Sequence, residues 1–335
     1  MSVAGRAMKT IGVAAGVAAG VAGAAYGVQR TVARNLRNRP DPDAGKLGRL
    51  RFDEERRFPS HDGGSVYVIS RGAGPTIVFS HGVTIDSRVW VKQLDTLPDQ
   101  GLRVVAFDHR GHGKSVVGDT GYSLANLGAD VRTVLEGLDL TDVILVGHSM
   151  GGLAAQAFVL GHPEVARTRV RGLVLLSTFA RTPLAALSSR GPSARLSGWL
   201  DLAALMRRPQ FGTMLARLGF GREPLASQVE LARQMLAECD PDTAREAIEP
   251  LLGVDLTGDV GRIDLPTLVI AGKADLLTPP AEARRLADRI PRARLVLIER
   301  AGHMVMLERA AELQALLLDF AREVGVLPTA EAASA

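Results

Sequence analysis

Residues 143–152 read VILVGHSMGG, a run of apolar, mostly β-branched residues that ends on a serine set among glycines. Branched side chains favour strands because they pack well on a pleated surface. A strand that is apolar at every position has no solvent face, which suits a parallel sheet covered by helices on both sides. Gly147, Ser149 and Gly151 fit the pattern G-x-S-x-G, in which a strand turns sharply into a helix with serine at the apex. The apex residue takes strained backbone angles, so bulky residues two positions away on either side would collide with the turn. From Gly152 the stretch GLAAQAFVL reads as a helix whose positive end points at the serine.

The same kind of apolar run recurs outward from this point. TIVFSHG (76–82), RVVAFDHRG (103–111), RGLVLLST (171–178), LPTLVIAGKAD (265–275) and ARLVLIERAGH (293–303) each stand apart from the next by enough chain for a helix. RRFPSHDG and SVYVISRG form a hairpin turning at Asp62-Gly63-Gly64, and a last helix runs from Ala310 to about Val324. Strands alternating with helices define the α/β class. Between Ser177 and Leu265 the alternation breaks. There LSGWLDLAALM, TMLARLGF and ELARQMLAE carry Leu, Met and Ala at helical spacing, which predicts a helical lid inserted between the sixth and seventh strands. The resulting division is a basic Ala/Gly-rich arm at 1–40, a linker at 41–54, the first part of the core at 55–178, the lid at 179–262, the second part of the core at 263–325 and a flexible tail at 326–335.

A serine hydroxyl is a weak nucleophile at neutral pH and needs a base held in place by an acid. In this architecture the chain order is serine, acid, histidine. Of the seven histidines only His162 and His303 follow Ser149. His162 lies in GHPE, past the helix that leaves the serine, and so points away. His303 follows the last strand on a glycine-loosened loop, where a base reaches back to the sheet's edge. Asp275 ends the strand LVIAGKAD and is the candidate acid, because Asp264 precedes its strand and Asp108 is placed to tie its own loop together. The oxyanion formed by attack needs donors placed in advance. These are expected to be the backbone N–H of Met150, directly after the nucleophile, and that of Val83 in the loop after the strand at 76–80.

Composition narrows the classes further. The net charge of +4 suggests a polyanion partner until the charge is located. Residues 1–40 hold six basic side chains and no acid, leaving 34 basic against 36 acidic side chains on the rest of the chain. With aromatics at 4% and no aromatic-studded basic stripe, nucleic-acid binding is excluded. The single cysteine, Cys239, allows no internal disulfide. His109 and His112 lack the cysteines or carboxylates that would complete a metal site, and Gly113-Lys114-Ser115 has Asp108 where a phosphate loop needs glycine. No metal or cofactor is expected. Within the arm, residues 10–29 carry no charge and are long enough to span a bilayer as a helix. Three readings stay open there: a membrane anchor, a secretory signal cleaved near Ala22-Gly23-Ala24, or a flexible Ala/Gly tail. The first two would make the protein membrane-associated or secreted.

The segments SHGV (80–83), FDHRGHGKS (107–115), VGHSMGG (146–152), AGKADLLTP (271–279) and AGHMVMLE (301–308) resemble the α/β-hydrolase superfamily, in its lidded esterase, lipase and haloperoxidase-like branch. The resemblance spans about residues 55–325. It implies an eight-stranded, mostly parallel sheet with a triad at its C-terminal edge. Serine at the nucleophile position argues against the dehalogenases and epoxide hydrolases of that fold, and the lack of an HGGG loop separates the chain from the hormone-sensitive-lipase-like branch. The expectation is a serine hydrolase cleaving small-molecule or lipid esters of apolar acyl chains through an acyl-enzyme. The alternatives are a cofactor-free haloperoxidase or perhydrolase, a thioesterase, and a non-catalytic ligand receptor on the same fold.

Overall fold

Eight segments pair into one sheet in a computed structural model that describes residues 36, 38–183 and 208–328. They are β1 (Glu54–Pro59), β2 (Ser65–Arg71), β3 (Thr76–Ser80), β4 (Arg103–Phe107), β5 (Val143–His148), β6 (Val170–Leu176), β7 (Thr267–Gly272) and β8 (Ala293–Ile298). Their spatial order is β1-β2-β4-β3-β5-β6-β7-β8. Only the β1–β2 hairpin and the β2–β4 pair are antiparallel, and every other neighbour is parallel. Each apolar run in the sequence therefore became a strand. β3, β5 and β7 are buried at every residue, as continuous apolar strands require when helices cover both faces.

The described helices are α1 (Val91–Thr96), α2 (Leu124–Gly137), α3 (Met150–Gly161), α4 (Pro163–Arg169), α5 (Pro209–Leu218), α6 (Ala226–Glu238), α7 (Pro241–Leu251), α8 (Pro280–Arg289), α9 (Val305–Glu308) and α10 (Ala310–Glu323). Local chemistry starts several of them. The Ser123 hydroxyl accepts the Asn126 N–H at 3.1 Å ahead of α2, and Asp240 accepts the N–H groups of Asp242 and Thr243 ahead of α7. α4, α7 and α8 each begin on proline, whose missing N–H costs nothing in a first turn. α3 is the central helix: Leu153, Ala154, Ala155 and Phe158 are fully buried, so it is a core element rather than an amphipathic one.

Register decides what meets at the sheet's C-terminal edge. Ser80 pairs with Gly147, His148 with Leu176, Leu176 with Ile270, and Gly272 with Ile298. Because β3, β5, β6, β7 and β8 end in step, the segments after them leave the sheet side by side. In open α/β sheets this edge is where ligands bind.

The insertion between β6 and β7 contributes α5, α6 and α7, and a backbone neck closes its base. The Thr182 N–H donates to Val254 O at 3.0 Å and the Leu256 N–H to Ala180 O at 2.8 Å. The stretch LSGWLDLAALM lies outside the described residues, as do residues 10–29 and the end of the tail. Among the described residues no helix is long and apolar enough to cross a membrane.

A buried ion cluster locks the loop after β4. Arg110 donates to both Asp130 oxygens at 2.7 and 2.8 Å, to Asp62 at 2.9 Å and to Gly121 O at 2.7 Å. The side chains of Arg110, Asp62 and Asp130 are all essentially removed from solvent. Removing one partner strands the others as uncompensated charge, which typically costs about 3–5 kcal/mol. Arg110→Ala is therefore expected to lower the unfolding free energy by that amount in urea titration. A loss under about 1 kcal/mol would show that the cluster is solvated.

Candidate active site

Ser149 stands at the apex of the turn between β5 and α3 with φ 54° and ψ −117°, a left-handed conformation that is costly for a residue with a side chain. The surroundings hold it there. Its N–H donates to Leu176 O at 3.0 Å, and its carbonyl accepts the Thr178 hydroxyl at 2.8 Å and the Gly152 N–H at 2.9 Å. The glycine requirement is steric. A Cβ on Gly151 would lie 2.2 Å from Ser80 O, and one on Gly147 would lie 2.4 Å from Gly151 O. The turn is thus pressed backbone against backbone onto the end of β3. That contact also brings in the loop 81–84, where a Cβ on Gly82 would lie 3.2 Å from Ser149 Cβ.

His303 and Asp275, chosen from the sequence by chain order and strand position, are bonded to each other. His303 Nδ1 donates to Asp275 Oδ2 at 3.0 Å, with Asp275 at 3% exposure and His303 at 6%. Asp275 also accepts the N–H groups of Leu277 and Thr278 at 2.9 Å each and the Thr278 hydroxyl at 2.7 Å. Burial pushes its carboxyl up, but the charge and hydrogen bond of His303 and the Thr278 donors outweigh that and hold it below the ordinary aspartate value. With Nδ1 donating, Nε2 of His303 is left as the acceptor. Thr278 was missed in the sequence, although a threonine three residues past a strand-ending aspartate is a recognisable turn signal.

His148 links the two halves of the site. Its Nε2–H donates to the carbonyl of His303 at 3.1 Å, and the two rings stand 4.6 Å apart. The backbone of His303 is therefore tied to the residue preceding Ser149. Among the described residues no hydrogen bond joins the Ser149 hydroxyl to His303. The N–H groups of Val83 and Met150, the expected oxyanion donors, likewise have no protein acceptor there. His162 sits at the far end of α3, away from the serine.

Buried neutral histidines support the loop 81–84. His81 Nε2 accepts the His109 N–H at 2.9 Å, so its Nδ1–H donates to Gly82 O at 2.7 Å. His112 Nε2 accepts the Thr84 N–H at 3.1 Å and its Nδ1–H donates to Arg110 O at 3.0 Å. Asp108 accepts the N–H groups of Ser87 and Lys114 at 2.8 Å each, the loop-tying part read from the sequence.

The arrangement is that of a hydrolytic fold, and comparison with known proteins agrees. Residues 75–310 match the family model described as alpha/beta hydrolase fold, and the chain belongs to that family. It is 31% identical over 253 residues to the non-heme chloroperoxidase CPO-A1 of Kitasatospora aureofaciens, a match covering 73% of this chain and 90% of that one. It is 32% identical over 258 residues to the putative carbamate hydrolase RutD of Variovorax paradoxus, covering 75% and 93%. Among solved structures, a thermophilic esterase from Thermogutta terrifontis superposes with a TM-score of 0.68 at 26% identity, covering 81% of this chain and 99% of that one.

Burial pushes His81 and His112 down to about 4. An unfolded histidine takes its proton near pH 6.5, so between about pH 6.5 and 4 the unfolded chain binds more protons than the folded one. The stability each neutral ring contributes, roughly 3 kcal/mol, is present above that window and is lost as pH falls through it. Ring-carbon NMR titration is expected to show both residues protonating only near pH 4. Titration at pH 6–7 would mean that the loop is open to water.

Proposed function

We propose that Ser149, His303 and Asp275 form a hydrolytic triad that cleaves carboxylic esters through an acyl-enzyme. The observation that carries this reading is the 3.0 Å bond between buried His303 and Asp275, delivered by adjacent strands to the edge where Ser149 is held in a strained turn. Ser149 Oγ attacks the acyl carbon while His303 Nε2 takes its proton. The N–H groups of Met150 and Val83 receive the developing oxyanion. His303 then gives the proton to the leaving alcohol, and water repeats the sequence on the acyl-enzyme. The hydroxyl-to-ring bond absent at rest is of the kind that tightens only with substrate in place.

An apolar acyl group suits the rim. Leu276 and Leu277, directly after Asp275, are 71% and 46% exposed, and Leu218 at the end of α5 is 47% exposed. Gly219 faces Leu277 and Met304, the residue after His303. Exposed leucines clustered beside a candidate site fit an apolar ligand better than an idle surface. In this reading the helical insertion, 179–262, is the cover of the site.

The names of the relatives favour two second readings. A carbamate carbonyl is open to the same serine attack, and a peroxide-using enzyme would employ the same three residues with a short-chain acid. A panel of p-nitrophenyl esters from acetate to laurate, run beside carbamate and peroxide assays, separates them. Ester turnover is expected to dominate and to rise with chain length. Ser149→Ala and Asp275→Asn are each expected to lose at least about 10³-fold in kcat. Full activity in Ser149→Ala would overturn the reading.

A further inference from the structure

The loop that carries His303 is clamped by a carboxylate outside the proposed triad. Glu308, in α9, accepts the Gly302 N–H at 2.9 Å through one oxygen and the Gly221 N–H at 2.7 Å through the other. Gly302 directly precedes His303, and Gly221 belongs to the insertion between α5 and α6. One side chain therefore holds the loop of the base and the insertion together. Burial raises the Glu308 carboxyl above the ordinary glutamate value, while the bonds from Gly221 and Gly302 oppose that rise.

Around this clamp the two segments form a seam with little freedom. The Met304 N–H donates to Gly219 O and the Arg222 N–H to Arg300 O, both at 3.0 Å. The Gln228 side chain donates to Leu307 O at 2.8 Å. At the centre the backbones touch: a Cβ on Gly302 would lie 2.3 Å from Gly221 N, and one on Gly221 would lie 2.1 Å from Arg300 O. Residues 219–228 are thus a buttress fixed to the His303 loop rather than a part that swings independently of it.

We propose that Glu308 is a positioning residue of the reaction, coupling the insertion to the place where the His303 ring stands relative to Ser149. This rests on the hydrolytic reading above. A displacement of the insertion's base travels through Glu308 to Gly302 and so to the base. Misplacing a reacting group by about 1 Å costs up to about 10²-fold in rate even when nothing touching the substrate has changed.

The test compares wild type with Glu308→Gln. The amide offers one acceptor oxygen where the carboxylate offers two, and turns an N–H₂ donor toward an N–H. The expected result is a kcat about 10- to 100-fold lower with KM changed by less than about twofold. A fluorophosphonate probe should still label one serine per chain at completion, but at a rate reduced in step with kcat. A residue that only staples the fold would lower the labelled fraction and leave the rate per labelled site unchanged, and that outcome overturns the proposal. So does wild-type kcat in Glu308→Gln. If that variant does not accumulate, Glu308→Asp, which keeps the charge but is too short to span both N–H groups, takes the same measurements. Glu223→Gln, which removes the exposed Arg300 ion pair at the rim of the same seam, should keep wild-type kcat. A wild-type chain that no probe labels at Ser149 refutes the hydrolytic reading itself, and the role of Glu308 falls with it.

Discussion

The constraint on which the rest depends is the close approach of the Ser149 turn to the end of β3. A strained backbone persists only where its surroundings determine it more strongly than its own torsional preference. Here the Leu176 carbonyl, the Thr178 hydroxyl and the first turn of α3 all hold the serine's peptide groups. Gly147 and Gly151 let β5 and α3 fold back on one another against Ser80. Any side chain at those positions would push the serine outward. It would also open the contact that carries the loop 81–84 to its place.

Electrostatics follow from the same geometry. Pressing those segments together buries His81, His109, His112 and His148, and burial drives each well below its ordinary value. They are neutral at physiological pH and serve as fixed donors and acceptors. His303 instead donates a hydrogen bond to the Asp275 carboxylate at 3.0 Å. One sheet edge therefore holds both buried neutral imidazoles and the acid-paired imidazole of His303.

The insertion is integrated with this edge. Its neck pairs residues 180–182 with 254–256, and residues 219–228 are stitched along the loop that bears His303. The insertion is thus fixed to the sheet's edge at two separate places.

Much of this was legible in the chain because it depends on local pattern. Continuous Val, Ile and Leu runs specify strands without a solvent face, and G-x-S-x-G specifies a strand turning into a helix. The last histidine and the strand-ending aspartate could be selected by chain order. The parts that escaped were those in which distant segments touch. Thr178 and Thr278 stand in the loops after β6 and β7, where no periodicity marks them. Glu308 was part of a quoted motif, yet its partner Gly221 lies 87 positions away. The Arg110 cluster joins a hairpin turn, a loop and α2. By itself the sequence determined the elements, their order and the residue types available for chemistry, since propensity and periodicity act over a few neighbouring residues. Tertiary structure alone decided that β5, β6, β7 and β8 end in register, and so which donors face which acceptors. Hydrogen bonds and burial are set by distance in space, which chain order does not encode.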